Sequence, residues 1–167
     1  MSFALDLSPL FGNLELTETV ELSPPPPDAI DRRIEDLSSD DPEVRRSAVQ
    51  DLPYFSLHRK RVGWALAACL TDPDGVVRRL ALASLQSFPG RAAEHTDTIL
   101  HILETAEGRI RGERTNAALL VSRTIPPSDR TLAALEQALR EGSEAEKRIF
   151  QSALDAYLKR CASTSGD

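Results

Sequence analysis

One stretch of this chain recurs, and the recurrence limits the folds open to it more than any other feature. Leu37, Asp41, Val44, Arg45, Arg46, Ala48, Val49 and Leu52 reappear without a gap 33 residues on, as Leu70, Asp74, Val77, Arg78, Arg79, Ala81, Leu82 and Leu85. A further copy, 69 residues beyond the second, holds Leu139, Lys147, Arg148, Phe150 and Leu154. In the first copy Val44, Ala48, Val49 and Leu52 fall on one helical face. Each unit is therefore predicted to be a helix, a short polar turn and a second helix. Such a pair cannot bury its apolar stripe alone, so consecutive pairs are expected to stack.

Between the second and last copies, Leu103 and Arg114-Thr115-Asn116-Ala117-Ala118 mark a more degenerate unit with two possible registers. Matching Arg111 to Arg78 keeps the spacing of 33 but puts Arg114 in the slot that holds Ala81. Matching Arg114 to Arg78 restores Ala117 and Val121 as core and lengthens the turn by three residues. The second register is preferred, because a charge between packed helices costs far more than a longer surface loop. Asp28, Asp41 before Pro42, and Ser128 or Asp129 are the expected helix N-caps. Pro53, Pro89 and Pro126-Pro127 stand where second helices should end.

Composition agrees with helices. The chain has 167 residues, 41% hydrophobic, which suits one domain, and only 5% aromatic. A core of Ala and Leu favours packed helices over a sheet. Pro24-Pro25-Pro26-Pro27 cannot be helical and acts as an extended spacer. It divides an N-terminal segment, 1–27, from a repeat domain expected over 28–160, with a disordered tail over 161–167. The N-terminal segment carries Asp6, Glu15, Glu18 and Glu21 and no Lys or Arg, whereas the repeat domain is close to neutral. Leu14, Leu16, Val20 and Leu22 alternate with Glu15, Thr17, Thr19 and Glu21. That pattern allows either a strand or hairpin, or a segment without structure until a partner binds.

The motif Asp-x-x-Val-Arg-x-x-Ala-x-x-x-Leu in Leu37–Leu52 and Leu70–Leu85 resembles HEAT repeats, in particular the bacterial HEAT-like repeats of the type found in phycocyanobilin lyase subunits. The resemblance covers most of 28–160 and weakens in the third and fourth units. It implies an all-α fold, an α-solenoid of about four helix pairs, preceded by an extended or disordered N-terminal segment. It also implies that Asp41 and Asp74 near the turns, with Arg45, Arg78, Arg114 and Lys147 on second helices, form a structural ladder between neighbouring units.

Chemistry is harder to find. His58, His95 and His101 are followed by Arg59, Thr96 and Ile102, so the His-Glu dipeptides of HEAT-like metal hydroxylases are missing. His95 and His101 lie six apart, which does not aim two metal ligands together. A neutral repeat domain with a single tryptophan, Trp64, argues against nucleic acid as a partner. Cys69 sits in an Ala/Leu-rich stretch and reads as core; Cys161 has no partner at motif spacing. No phosphate loop or nucleophile elbow is present. No catalytic residue, cofactor or metal site is expected, and the chain is expected not to be an enzyme. No apolar run suits a membrane span and the start lacks a signal peptide, so a cytoplasmic location without membrane contact is expected.

What remains is a surface. Equivalent solvent-facing positions of the second helices hold Arg46, Arg79 and Arg148, then Leu80, Asn116 and Ile149, and one turn on Gln50 and Leu119. In HEAT-like solenoids second helices usually line the concave face, so these eight residues are the expected binding groove for a protein or peptide, acidic in part. The function expected is a non-catalytic scaffold or adaptor. The alternatives are a partner-dependent subunit similar to bilin lyases and a structural module of a larger assembly. The acidic N-terminal segment is a candidate competitor for a repeat surface, its own or a neighbour's, or a cap for the first helix pair.

Overall fold

A computed structural model of the chain describes residues 28–105 and 112–164. The expectations for residues 1–27 lie outside the described residues. Within them the fold is all-α, with no strand. The helices are α1 (Ala29–Asp36), α2 (Pro42–Asp51), α3 (Arg59–Ala68), α4 (Gly75–Leu85), α5 (Pro89–Glu94), α6 (Thr96–Thr105), α7 (Glu113–Thr124), α8 (Asp129–Glu141) and α9 (Glu144–Thr164). Short 3-10 turns, Leu52–Tyr54 and Ser56–His58, join α2 to α3, and a third, Cys69–Thr71, leads toward α4.

Helix starts follow the capping residues where the backbone lets them act. Asp41 accepts from the Glu43 N–H at 2.9 Å, Asp74 from Val76 and Val77, both at 2.9 Å, and Ser128 from Thr131 at 3.2 Å. All three caps have extended backbones, with ψ of 115°, 117° and 153°, which turns the side chain back over the first turn. Asp28 corrects the expectation: its ψ is −8°, already helical, and its carboxylate pairs with Arg32 instead of capping α1. At the start of α8 the buried Tyr157 hydroxyl donates to the Ser128 carbonyl at 2.9 Å and accepts from the Ser128 N–H at 2.7 Å, fastening α8 to α9.

Packing follows the repeat. Helix α1 packs on α2, α3 on α4, α6 on α7 and α8 on α9, while the second helices touch in series, α2 on α4, α4 on α7 and α7 on α9. The aligned positions are the core: Ala48, Val49 and Leu52, then Ala81, Leu82 and Leu85, then Ala117, Ala118 and Val121, all at 0% exposure. Burying each of these Leu or Val side chains contributes on the order of 1.5–3 kcal/mol before chain entropy is counted. Phe150, Ala153, Leu154 and Tyr157 fill the last unit. Burial of Ala117 and Val121 selects the register that matches Arg114 to Arg78.

The first helix of the third unit departs from the others. It is divided into α5 and α6, with Pro89 at the first position of α5 and His95 at the joint, at φ −111° and ψ 27°. Immediately before α7 stands Gly112, whose φ of 89° is a left-handed conformation suited to glycine. At the α8–α9 corner, a Cβ on Gly142 would lie 2.7 Å from Phe150 Cε2 and 2.9 Å from the Ala138 carbonyl oxygen, so only glycine fits. Helix α9 continues past the expected boundary at 160 to Thr164, and Cys161 is half-buried against the core rather than in a tail.

The expected ladder is present with different acids. Arg45 holds Asp72 with two hydrogen bonds, Nε at 2.8 Å and Nη2 at 3.0 Å, and donates to the Ser39 and Asp40 carbonyls of its own turn. Arg78 repeats this on the Asp72 and Pro73 carbonyls and reaches Glu113 at 2.5 Å. Arg114 donates to the Leu103 carbonyl at 3.1 Å and to Glu141 at 3.3 Å. Asp41 is thus a helix cap alone, whereas Asp74 both caps its helix and accepts from Arg46 of the previous unit; Asp72, Glu113 and Glu141 accept from the ladder arginines. Lys147 is also corrected. It pairs with Glu144 in its own helix at 2.8 Å.

Candidate functional site

The series of second helices places the eight candidate residues on four neighbouring helices: Arg46 and Gln50 on α2, Arg79 and Leu80 on α4, Asn116 and Leu119 on α7, and Arg148 and Ile149 on α9. Gln50 and Arg148 are exposed, Ile149 is 37% exposed, and Leu80 and Leu119 are half-buried with their inner sides against the core. Asn116 links α7 to α4 by donating to the Arg79 carbonyl at 3.5 Å. Among the described residues neither Arg79 nor Arg148 has an acidic partner. Arg148 is exposed and Arg79 half-buried with its stem near Gly112, so this set of helices offers two guanidinium groups without an acidic partner among the described residues.

Arg46 differs from its two equivalents. It donates to Asp74 at 3.2 Å and 2.7 Å and also pairs with Glu43. Its guanidinium is already matched, so it borders the face without supplying a free donor. The Arg46 hydrogen bonds are the main reason that the Asp74 carboxyl falls from 3.8 to about 2, opposed by partial burial and helped by the Val77 and Val76 N–H groups. Asp74 is thus easier to ionise in the folded chain than in the unfolded one. Its contribution to stability is complete above its ordinary value near 3.8 and is lost as pH falls through about 2. Thermal melts between these limits should show falling stability in the native chain and a flatter profile in Asp74→Asn.

A second cluster, on the first-helix side, was not singled out by its sequence. Leu57 is 91% exposed, Tyr54 83% and Trp64 58%, at the α2–α3 connection and along α3. Arg59, Lys60 and Arg61 open α3, and all three are exposed. Cations at a helix N-terminus meet the positive end of its dipole, which costs up to about 1 kcal/mol each, so local helix stability does not account for them. Lys60, Arg61 and Trp64 follow helical spacing and lie along one side of α3, and Leu57 stands in the 3-10 turn just before it. Arg59 stacks 4.8 Å above the Phe88 ring, and Arg91 of α5 stacks 4.0 Å above Trp64. Gly63 permits the latter, since a Cβ there would lie 2.7 Å from Arg91 Cγ. A shallow hollow of about 240 Å³ lies between α3 and α5, lined by Arg59, Lys60, Arg91 and Glu94 beside Phe88. Arg61 reaches across to Asp31 of α1.

The side chains that could carry reaction chemistry are scattered. His58 precedes α3, His95 lies at the α5–α6 joint, and His101 is exposed on α6. Among the described residues no three His, Cys, Asp or Glu side chains are grouped to hold a metal ion. The Cys69 thiol is buried, donates to the Ala65 carbonyl, and is pushed up to about 12, chiefly by burial and next by Asp72. It remains a neutral thiol, as a core residue does. Among the described residues no helix is long and apolar enough to cross a membrane. No protein-family model matches the chain, and no curated protein matches it in sequence.

Proposed function

We propose that the chain is a non-catalytic adaptor built as a HEAT-like solenoid, which binds a segment of another protein on its second-helix face. The single observation that carries this reading is the pair of guanidinium groups, Arg79 and Arg148, which have no acidic partner among the described residues and stand on serially packed second helices that also carry Leu80, Leu119 and Ile149. Arginine forks suit carboxylates, and the half-buried leucines give an apolar floor for a peptide's aliphatic side chains. Gln50 and Asn116 add polar contacts to a bound backbone. The ladder arginines stay out of this role, because their donors are spent within and between units.

An array of synthetic peptides tests the proposal. Acidic sequences carrying Leu, Ile or Val should bind the native chain in preference to basic or wholly polar ones. Reversing charge in Arg79→Glu/Arg148→Glu should weaken the best peptide by about ten-fold or more, the loss of one or two charge-assisted hydrogen bonds. Equal binding by native and doubly substituted protein, both fully helical, would remove this face from the function.

A further inference from the structure

The exposed cluster on α3 is separate from the second-helix face and is explained by neither helix stability nor the ladder. We propose that it is the docking site for the chain's own acidic segment, residues 14–22, because exposed Tyr54, Leu57 and Trp64 flanked by Arg59 and Lys60 match that segment's alternating aliphatic and glutamate side chains.

Chemistry, position and charge each support this occupant. Leu14, Leu16, Val20 and Leu22 supply apolar area, while Glu15, Glu18 and Glu21 supply carboxylates and no cation lies anywhere in 1–27. The patch presents the complementary set: three large apolar side chains more than half exposed, with Arg59 and Lys60, which have no acidic partner among the described residues, while Arg61 is held by Asp31 and Arg91 by Glu94. Large apolar side chains clustered in this way beside charges mark interaction surfaces more often than idle ones.

Position favours the chain's own segment. Helix α1 begins one residue after Asp28, and Asp31, within its first turn, is held by Arg61 of the patch. The segment thus joins the domain beside the site. Residues 23–27 span about 16 Å when extended, enough to cross one helix spacing of about 8–10 Å. Tethering at that distance gives a high effective concentration, so individually weak contacts suffice. The second-helix face is a poorer destination. On α2, the second helix nearest α1, Arg45 and Arg46 are both matched by acids, whereas Arg59 and Lys60 of α3 have no acidic partner among the described residues.

Trp64 is the chain's single tryptophan, so its fluorescence reads the patch directly in the full chain. In the native protein at low salt, acrylamide should quench it at least about two-fold less than in Glu15→Lys/Glu18→Lys/Glu21→Lys, with the difference shrinking at high salt. The reciprocal variant, Arg59→Glu/Lys60→Glu, should expose Trp64 as well. Combining the two sets should restore shielding, a rescue that local damage to α3 would not produce. Shielding should also be unchanged on dilution. Equal quenching of native and Glu→Lys chains at all salt concentrations would overturn the proposal, as would shielding lost on dilution, which would make a second copy the occupant. A blue shift of native Trp64 with phosphatidylserine vesicles, absent with phosphatidylcholine, would overturn it in favour of an anionic membrane surface.

Discussion

Phe150→Ala is expected to destabilise the chain by about 3–5 kcal/mol, a large part of the roughly 5–15 kcal/mol that holds a domain of this kind together. The aligned repeat position is alanine in the first three units, at Ala48, Ala81 and Ala117, and phenylalanine only in the last. The ring is fully buried, lies under the Arg114 guanidinium at 5.6 Å, and fills the space that a side chain on Gly142 would need. Removing it leaves a cavity at the α7–α9 contact, with the glycine corner unable to close over it. Chemical denaturation of native and variant chains gives the difference. A loss below about 1 kcal/mol would mean that α9 packs differently. Gly142→Ala in the native background should also destabilise, by overpacking the same spot from the other side.

The second large effect concerns the middle rung. Glu113 is 3% exposed, and Arg78 reaches its carboxylate at 2.5 Å. Glu113→Ala leaves Arg78 with its two turn carbonyls and no counter-charge, at an expected cost of about 2–3 kcal/mol. Glu113→Gln keeps a neutral acceptor and should lose about half as much. Peptide binding at the second-helix face should be unchanged in either variant once the chain is folded. Should Glu113→Ala keep native stability yet lose its peptide, the rung would be a binding residue and its structural assignment would fail.

The core was legible in the sequence because apolar positions repeat with the period of the unit, and the aligned Ala, Val and Leu of the second helices are buried apart from the half-buried Val44. Even the ambiguous third register could be chosen, since the cost of placing Arg114 between helices exceeds that of a longer loop. The ladder was legible in its donors but not its acceptors. Asp72 and Asp74 are two residues apart in one turn, and only their placement decides that Asp72 takes the ladder arginine Arg45 while Asp74 caps α4 and takes Arg46. Arg46 shows the same limit. Its equivalence to Arg79 and Arg148 holds along the helix, yet its charge is cancelled by an aspartate from the next turn.

Two departures had no periodic signal at all. The division of one helix into α5 and α6 follows from local chemistry, since Pro89 can begin a helix and His95 takes a non-helical backbone. The patch on α3 was hidden because apolar residues near a helix start are ordinarily counted toward the core. Paired 3-10 turns carry Tyr54 and Leu57 outward instead. A usable signal existed in Arg59-Lys60-Arg61, three cations where the dipole disfavours them.

The central claim, that the serial second helices form the face that takes a partner, is tested most directly by mapping backbone amide and methyl NMR shifts while the best acidic, aliphatic peptide is added to the native full chain. The account predicts shifts concentrated on Arg79, Leu80, Asn116, Leu119, Arg148 and Ile149, with the Cys69 and Leu103 surroundings unmoved. Saturable shifts confined to α1, α3 and α5, with none on α4, α7 or α9, would contradict it.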